Sequence, residues 1–127
     1  LDPVPQDQVL TYVKSCDAGI IPYEKTCLNH YYALPNKLFQ YAQMKVPILA
    51  SNFPEMSKII NAYHLGTTFN PNDSKDIAKS VNDMFDNKFT ISETDYESFI
   101  QDYNWDNEKK KLLRIYKDLE LIIEKNL

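Results

Sequence analysis

Glycine and cysteine are scarce in this chain of 127 residues, and each scarcity excludes a class of site. The two glycines cannot build a Walker loop, and neither a nucleophile elbow nor a cluster of metal-ligating residues is present. Cys16 and Cys27 have neither metal-type nor redox-type spacing, so we expect buried, reduced thiols and a reducing compartment. A disulfide between the two cysteines is the alternative.

Long apolar runs are also lacking, because no stretch approaches the ~20 residues that cross a bilayer. The 18 acidic residues outnumber the 14 basic ones, and the net charge of −4 argues against a nucleic-acid-binding surface. The basic cluster, residues 109–111 with Arg114, lies in a segment that also carries Asp106 and Glu108. We interpret this cluster as a solvated helix face, with a membrane-surface patch as the alternative.

Short apolar runs alternate with amphipathic segments along the chain, which is typical of α/β domains. The pattern predicts a partial doubly wound parallel sheet of about three short strands, with flanking helices and a long C-terminal helix. The predicted strands are residues 18–21, 47–50 and 67–69, and the predicted helices are residues 6–15, 36–44, 54–63, 74–86, 93–101 and 105–125. Residues 23–32 are predicted to form a loop at the carboxyl end of the first strand, where such sheets bind ligands.

The first predicted strand indicates an incomplete sheet. Its brief apolar run, closed by Pro22, indicates burial on both faces, and a parallel sheet needs neighbours on both sides. Because the chain starts with Leu1 and a loop-like segment, we expect a single-domain piece, residues 1–127, of a larger protein that supplies the missing neighbour. The open strand edge predicts self-association of this piece.

Several residues near helix ends receive structural interpretations. His64 is not spaced with His30 as a catalytic pair, and we expect it to cap a backbone carbonyl at a helix end. Trp105 and Tyr103 are expected to anchor the last helix rather than to stack on a sugar. That helix carries an apolar stripe at three- and four-residue spacing, interpreted as a packing surface: Leu112, Ile115, Tyr116, Leu119, Ile122 and Ile123.

The start of the second long helix has the features of an anion site. Pro35 suits a first helical turn, which leaves the backbone N–H groups of Asn36, Lys37 and Leu38 pointing outward. Lys37 opposes the helix dipole unless an anion such as a diphosphate lies between them. Gln40 lies on the same helix face, one turn later. The alternative is an ordinary helix start with a solvated lysine.

The same residues carry a family resemblance. The run ALPNKLFQY at residues 33–41, followed by VPILAS at 46–51 and FPEM at 53–56, resembles the nucleotide-sugar-binding half of family 4 retaining glycosyltransferases. These enzymes have two Rossmann-like domains, an arrangement called the GT-B fold. DAGIIP at residues 17–22, LGTTFNPND at 65–73 and YNW at 103–105 are also similar to the family, so the resemblance covers roughly residues 9–116.

The resemblance implies that Asn36, Lys37 and Leu38 hold the diphosphate of a nucleotide-sugar donor. In the family, two glutamates separated by seven residues approach the transferred sugar and bind the ribose, respectively. Gln40 stands at the second glutamate position of this chain and Tyr32 at the first. The Gln40 amide can accept a hydrogen bond from a ribose hydroxyl, but it lacks the charge that would strengthen that bond.

The loop after the first strand is expected to replace the missing glutamates. The resemblance implies that Asn29, His30 and Tyr31 contact the sugar or the phosphate, while Pro22 and Tyr23 wall the base pocket. The alternative for this segment is a polar surface loop that binds no ligand.

For the whole protein, the resemblance implies a cytoplasmic bacterial hexosyltransferase of polysaccharide biosynthesis, associated peripherally with the inner face of the membrane. It would transfer sugar to a glycan or lipid-linked acceptor held by an N-terminal domain, with neither metal nor cofactor, and this chain alone would be inactive. Loss of the glutamates leaves a nucleotide-binding or interaction module without transferase activity as one alternative. A nucleotide-sugar epimerase of the same architecture is the other.

Overall fold

Three parallel strands and their flanking helices form the core of the chain. The computed structural model describes residues 3–125, with side chains as far as residue 121. The strands are β1 (Gly19–Ile21), β2 (Ile48–Ser51) and β3 (Gly66–Phe69), and the helices are α1 (Val9–Lys14), α2 (Leu28–Tyr31), α3 (Asn36–Gln43), α4 (Pro54–Ala62), α5 (Ser74–Asp86), α6 (Glu93–Asp102) and α7 (Trp105–Lys125). The predicted α/β class, with a three-stranded parallel sheet and a long C-terminal helix, is confirmed.

The sheet has the order β1-β2-β3, so β1 is an edge strand, as the sequence predicts. Gly19 pairs with Ile48, and Ile48 in turn pairs with Gly66, which places the three strands in register. The helices that connect successive strands, α3 and α4, both pack on one face of the sheet. Crossovers between parallel strands are almost always right-handed. Because the strand order advances in one direction, two right-handed crossovers place both helices on the same face.

The main core lies between this sheet face and helices α3, α4 and α6. Leu38 of α3, Met56 and Ile60 of α4 and Phe99 of α6 are fully buried there against Ile48 of β2. Each such side chain contributes about 1.5–3 kcal/mol by leaving water. The core therefore fixes α3 firmly against the sheet, and with it the helix start that the sequence singles out.

The opposite sheet face is only partly covered. Helix α5 packs Met84 against Leu49 and Phe69, but it leaves the β1 side of the sheet open. Ile20 is consequently 48% exposed, so the expected burial of the first strand on both faces is wrong. The pattern of brief apolar runs could not show this, because a strand is covered only where a helix lies over it.

The ends of helices α3, α4 and α5 are followed by Lys45, His64 and Lys88, which all have positive φ angles. Glycine commonly fills this left-handed position, but the chain has only two glycines.

The His64 ring contacts a carboxylate rather than a backbone carbonyl: its Nδ1 lies 3.0 Å from Oδ1 of Asp95. The expected capping role of the His64 side chain is therefore wrong.

Tyr103, and not Trp105, anchors the start of the last helix. The Tyr103 ring lies 5.3 Å from that of Phe99 and 5.5 Å from that of Phe39. Trp105 is 68% exposed, which contradicts its expected anchoring role. The following residues of α7, 108–121, are all exposed as well, so the described part of the apolar stripe does not pack inside this chain. Ile122 and Ile123 lie outside the described side chains.

Both cysteines differ from the expectation of burial, because Cys16 and Cys27 are free and exposed.

Within residues 3–125, no helix combines the length and apolarity needed to cross a membrane. The same residues contain no group of three or more histidine, cysteine, aspartate or glutamate side chains placed to hold a metal ion. The predicted site residues that remain to be located lie in the loop after β1 and at the start of α3, which follow the carboxyl end of that strand.

Candidate functional site

The candidate site lies at the carboxyl ends of the three strands, where the loops after β1, β2 and β3 begin. Ligands of open α/β sheets bind at this edge, because loops and helix starts converge there. Most of the sequence-predicted site residues belong to the loop after β1 and to the start of α3. The structure determines which of them have free polar groups and which are used for packing.

A buried serine fixes the loop after β1 to the neighbouring strand. Ser51, the last residue of β2, is fully buried, and its Oγ donates a 2.6 Å hydrogen bond to the carbonyl oxygen of Tyr23. Sequence reasoning missed Ser51. The available signal was a lone hydroxyl at the end of an apolar strand, since buried hydroxyls need a partner.

We expect Ser51→Ala to lower the free energy of unfolding by about 1–3 kcal/mol, because the Tyr23 carbonyl loses its donor. Chemical denaturation followed by circular dichroism measures this change. Ser98→Ala is the matched control, since Ser98 donates to the Thr94 carbonyl on an exposed helix. Equal losses for the two variants would contradict a specific fixing role for Ser51.

The loop after β1 contains the one-turn helix α2, so the prediction of an irregular loop over residues 23–32 is wrong in this part. His30 turns toward the strand end: its Nδ1 lies 2.8 Å from Oγ1 of Thr26, and its ring lies 5.6 Å from that of Tyr23. Asn29 is exposed on the same turn, and Pro22 is exposed at the end of β1. The predicted loop residues His30 and Tyr23 are thus brought together.

Tyr31 has a packing role that the sequence does not reveal. Its ring lies 5.2 Å from Phe53, the residue before α4, and Lys25 places its ammonium group 4.1 Å from the centre of the Tyr31 ring. Tyr32 adds an edge-to-face contact at 4.9 Å. These contacts hold α2 against the start of α4, and they leave Tyr31 less free for a ligand than the sequence suggests.

Helix α3 begins with fewer free donors than expected. Its N-cap is Pro35, which offers no side-chain cap, and the N–H of Leu38 donates to the Pro35 carbonyl at 3.0 Å. The expected free N–H of Leu38 is therefore wrong, and its side chain is buried in the core. In the described part of the chain, the N–H groups of Asn36 and Lys37 donate to no protein atom.

Lys37 is exposed beside these two N–H groups, and it forms neither a salt bridge nor a hydrogen bond with residues 3–121. Gln40, one turn further along α3, is half-buried. Its spacing from Asn36 and Lys37 places the three side chains on adjacent rows of one helix face. The start of α3 thus combines two backbone donors, an ammonium group and an amide.

The other helix starts at this sheet edge are less suited to an anion. Asp73 caps α5 by accepting from the N–H groups of Lys75 and Asp76, and Asp76 itself accepts from Asn70. Helix α4 carries Glu55 in its first turn. Helix α3 has no acidic residue in its first turn. The helix field favours an anion at each of these starts, but among α3, α4 and α5 only α3 has neither an acidic first-turn residue nor a side-chain cap.

Two open clefts lie away from this site. One, of about 330 Å³, is lined by Asp17, Lys45 and Pro47, which precede β1 and β2 and so lie at the amino ends of the strands. The other, of about 400 Å³, lies between Thr67 of β3 and Lys79 of α5. Neither cleft includes a sequence-predicted site residue, and the first lies at the edge opposite to the one where parallel sheets bind ligands.

Comparison with known proteins tests whether other chains share this arrangement. The chain matches no protein-family model, no curated protein and no solved structure. The glycosyltransferase resemblance therefore depends on the quoted residues and on the position of α3 at the carboxyl edge of the sheet.

Proposed function

We propose that this chain is the donor-binding part of a retaining glycosyltransferase and that it holds the diphosphate of a nucleotide sugar at the start of α3. One observation carries the proposal. Helix α3 starts at the ligand-binding edge of a parallel sheet without a side-chain cap or an acidic first-turn residue, and it carries Lys37 against its own dipole. A lysine in this position is stabilised when an anion occupies the helix start.

The chemistry of sugar transfer suits these groups. When the bond between sugar and diphosphate breaks, negative charge develops on the leaving diphosphate. The N–H groups of Asn36 and Lys37, together with the Lys37 ammonium, are fixed donors that stabilise this charge without rearranging. Their positions are held by the buried side of α3, notably by Leu38 and Ala42. Catalysis would thus depend mainly on positioning and electrostatics.

The remaining donor contacts follow from the surrounding residues. Gln40 accepts from a ribose hydroxyl, while Pro22 and Tyr23 lie beside the base. Asn29 and His30 reach the sugar or the phosphate from α2. Because Tyr31 packs on Phe53, we propose a supporting role for Tyr31 instead of the direct ligand contact expected from the sequence.

A binding module without transferase activity is the second candidate, and the missing glutamates favour it. Gln40 and Tyr32 at the two glutamate positions carry no negative charge near the donor sugar and ribose. Such a module would use the same diphosphate site at α3. It differs from the enzyme in the reaction, so binding of the donor without transfer by the full-length protein would distinguish it.

Isothermal titration calorimetry with UDP, GDP, UMP and uridine tests the site on the 127-residue chain. We expect a nucleoside diphosphate to bind more tightly than the monophosphate, and the nucleoside to bind weakest, because the diphosphate makes the charge-assisted contacts. Lys58→Ala, at an exposed lysine of α4, is expected to leave this order unchanged. Equal affinities for UDP and uridine, or no binding of either diphosphate, would overturn the proposal.

We also expect the three side chains glutamine, glutamate and leucine at position 40 to rank by their ability to accept a hydrogen bond. Gln40→Glu should preserve or improve donor affinity, whereas Gln40→Leu should weaken it by about 1–3 kcal/mol because a ribose hydroxyl is left unpaired. Calorimetry with the nucleotide sugar measures both variants. Equal affinities for all three proteins would place Gln40 outside the site.

A further inference from the structure

The long helix α7 exposes an apolar stripe formed by Leu112, Ile115, Tyr116 and Leu119. All four side chains are between 45% and 59% exposed, and they recur at three- and four-residue spacing, so they lie on one face of the helix. Exposed apolar residues that form a continuous patch mark an interaction surface.

Charged residues border this stripe in a specific order. Lys111 and Asp118 are seven residues apart, about two turns, and form one flank of the stripe, where Lys111 also donates to Glu108 of its own helix at 2.6 Å. Lys109 and Glu120 are eleven residues apart, about three turns, and form the other flank. Between residues 109 and 120, each flank therefore changes from a cation to a carboxylate along the helix.

This charge order selects both the partner and its orientation. When two copies of a helix pair in antiparallel orientation, each flank faces the same flank of the other copy in reverse order. Lys111 of one copy then faces Asp118 of the other, and Lys109 faces Glu120. In a parallel pair the two different flanks meet, so lysine would face lysine and carboxylate would face carboxylate.

The apolar residues are compatible with the antiparallel arrangement. Around a two-fold axis that passes between Ile115 and Tyr116, Leu112 of one copy is opposite Leu119 of the other, and Ile115 is opposite Tyr116. The same surface is used by both copies, as in other two-fold interfaces. An anionic membrane surface fits less well, because Asp118 and Glu120 border the stripe and the whole chain carries a net charge of −4.

We infer that the apolar face of α7 pairs with the same face of a second copy of this chain in antiparallel orientation. The interface consists of the stripe Leu112, Ile115, Tyr116 and Leu119, bordered on each flank by lysine–carboxylate contacts between copies. The inference depends on α7 alone, and it is independent of the proposed donor site at α3.

Charge reversal provides the decisive experiment. An anionic variant carries Lys109→Glu and Lys111→Glu, and a cationic variant carries Asp118→Lys and Glu120→Lys. In sedimentation velocity, we expect the natural chain to dimerise as its concentration rises and each variant alone to dimerise at least about tenfold more weakly, because like charges then face each other. An equimolar mixture of the two variants should regain association, since unlike charges meet again on both flanks.

Two controls isolate the interface. Lys110→Glu with Lys117→Glu changes the charge by the same amount on the side of α7 away from the stripe, and we expect it to leave the dimer intact. Ile20→Lys places a charge on β1, whose open edge is the alternative self-association surface predicted from the sequence, and we expect it to leave the α7 dimer intact. Circular dichroism verifies that each variant folds. A monomeric natural chain, a mixture that does not associate, or loss of the dimer in either control would overturn the inference, and so would binding to anionic vesicles by a chain that stays monomeric.

Discussion

Lys37→Ala is expected, under the proposed transferase function, to lower kcat/KM for the nucleotide sugar by about 10- to 100-fold in the full-length protein. This loss corresponds to about 1.4–3 kcal/mol, the range of a charge-assisted contact to phosphate. In the structure, Lys37 is exposed beside the unpaired N–H groups of α3 and contacts no carboxylate within residues 3–121. Its removal therefore takes away no salt bridge or hydrogen bond within residues 3–121.

The same reasoning predicts that stability will not fall with activity. A lysine in the first turn of a helix is slightly unfavourable when no anion is bound, so Lys37→Ala should leave the melting temperature unchanged or raise it slightly. Lys37→Arg should keep much of the activity, because the charge is retained. Lys58→Ala is the matched control at an exposed lysine of α4. Unchanged kinetics in Lys37→Ala at an unchanged melting temperature would contradict the diphosphate site.

Calorimetry on the 127-residue chain separates binding from catalysis. If Lys37 holds the diphosphate of the intact donor, affinity for the nucleotide sugar falls together with turnover. If Lys37 acts mainly on the charge that develops as the sugar leaves, affinity for the nucleotide sugar changes little while kcat and UDP affinity fall. Both results support a diphosphate at α3, and they differ in when the contact becomes strong.

The positions of the elements could be predicted closely from the sequence. The periodicity of apolar residues gave α7 with its observed bounds, Trp105–Lys125, and the polar residue Asp73 indicated the start of α5. Such signals are local, since a helix or a cap is determined by residues within a few positions. The class of the fold followed from the alternation of these elements.

Several of the errors concern burial, which depends on distant residues. Ile20 has the apolar character of a core strand, but no helix covers its side of β1. The stripe on α7 has core-like spacing and yet is exposed, because spacing shows that a face is apolar without showing what covers it. The candidate site shows the same division. The place of Lys37 in a first helical turn follows from local sequence, whereas the bond from Ser51 to Tyr23 joins residues that are far apart in sequence.

Gly66→Ala is expected to cause the largest loss of stability, about 3 kcal/mol or more. A Cβ atom at Gly66 would lie 1.9 Å from the carbonyl oxygen of Ile48 and 2.6 Å from its backbone nitrogen. These are backbone atoms of the central strand, so they cannot move aside as a side chain can. Relief requires β3 to separate from β2, which breaks the pairing of the two strands and disturbs the bond from the Ile48 N–H to the Leu65 carbonyl.

Gly19→Ala is the matched control, because the added Cβ would meet the Tyr41 ring at 2.3 Å and no backbone atom of another strand is among its nearest neighbours. The Tyr41 ring is only partly buried and can rotate, so we expect a smaller loss, within about 1–3 kcal/mol. Thermal and denaturant unfolding of both variants measures the difference. If the Gly66→Ala protein is as stable as the Gly19→Ala protein, β3 can move relative to β2 at little cost. The close approach of β2 and β3 would then not hold the part of the sheet that lies beneath the candidate site in place.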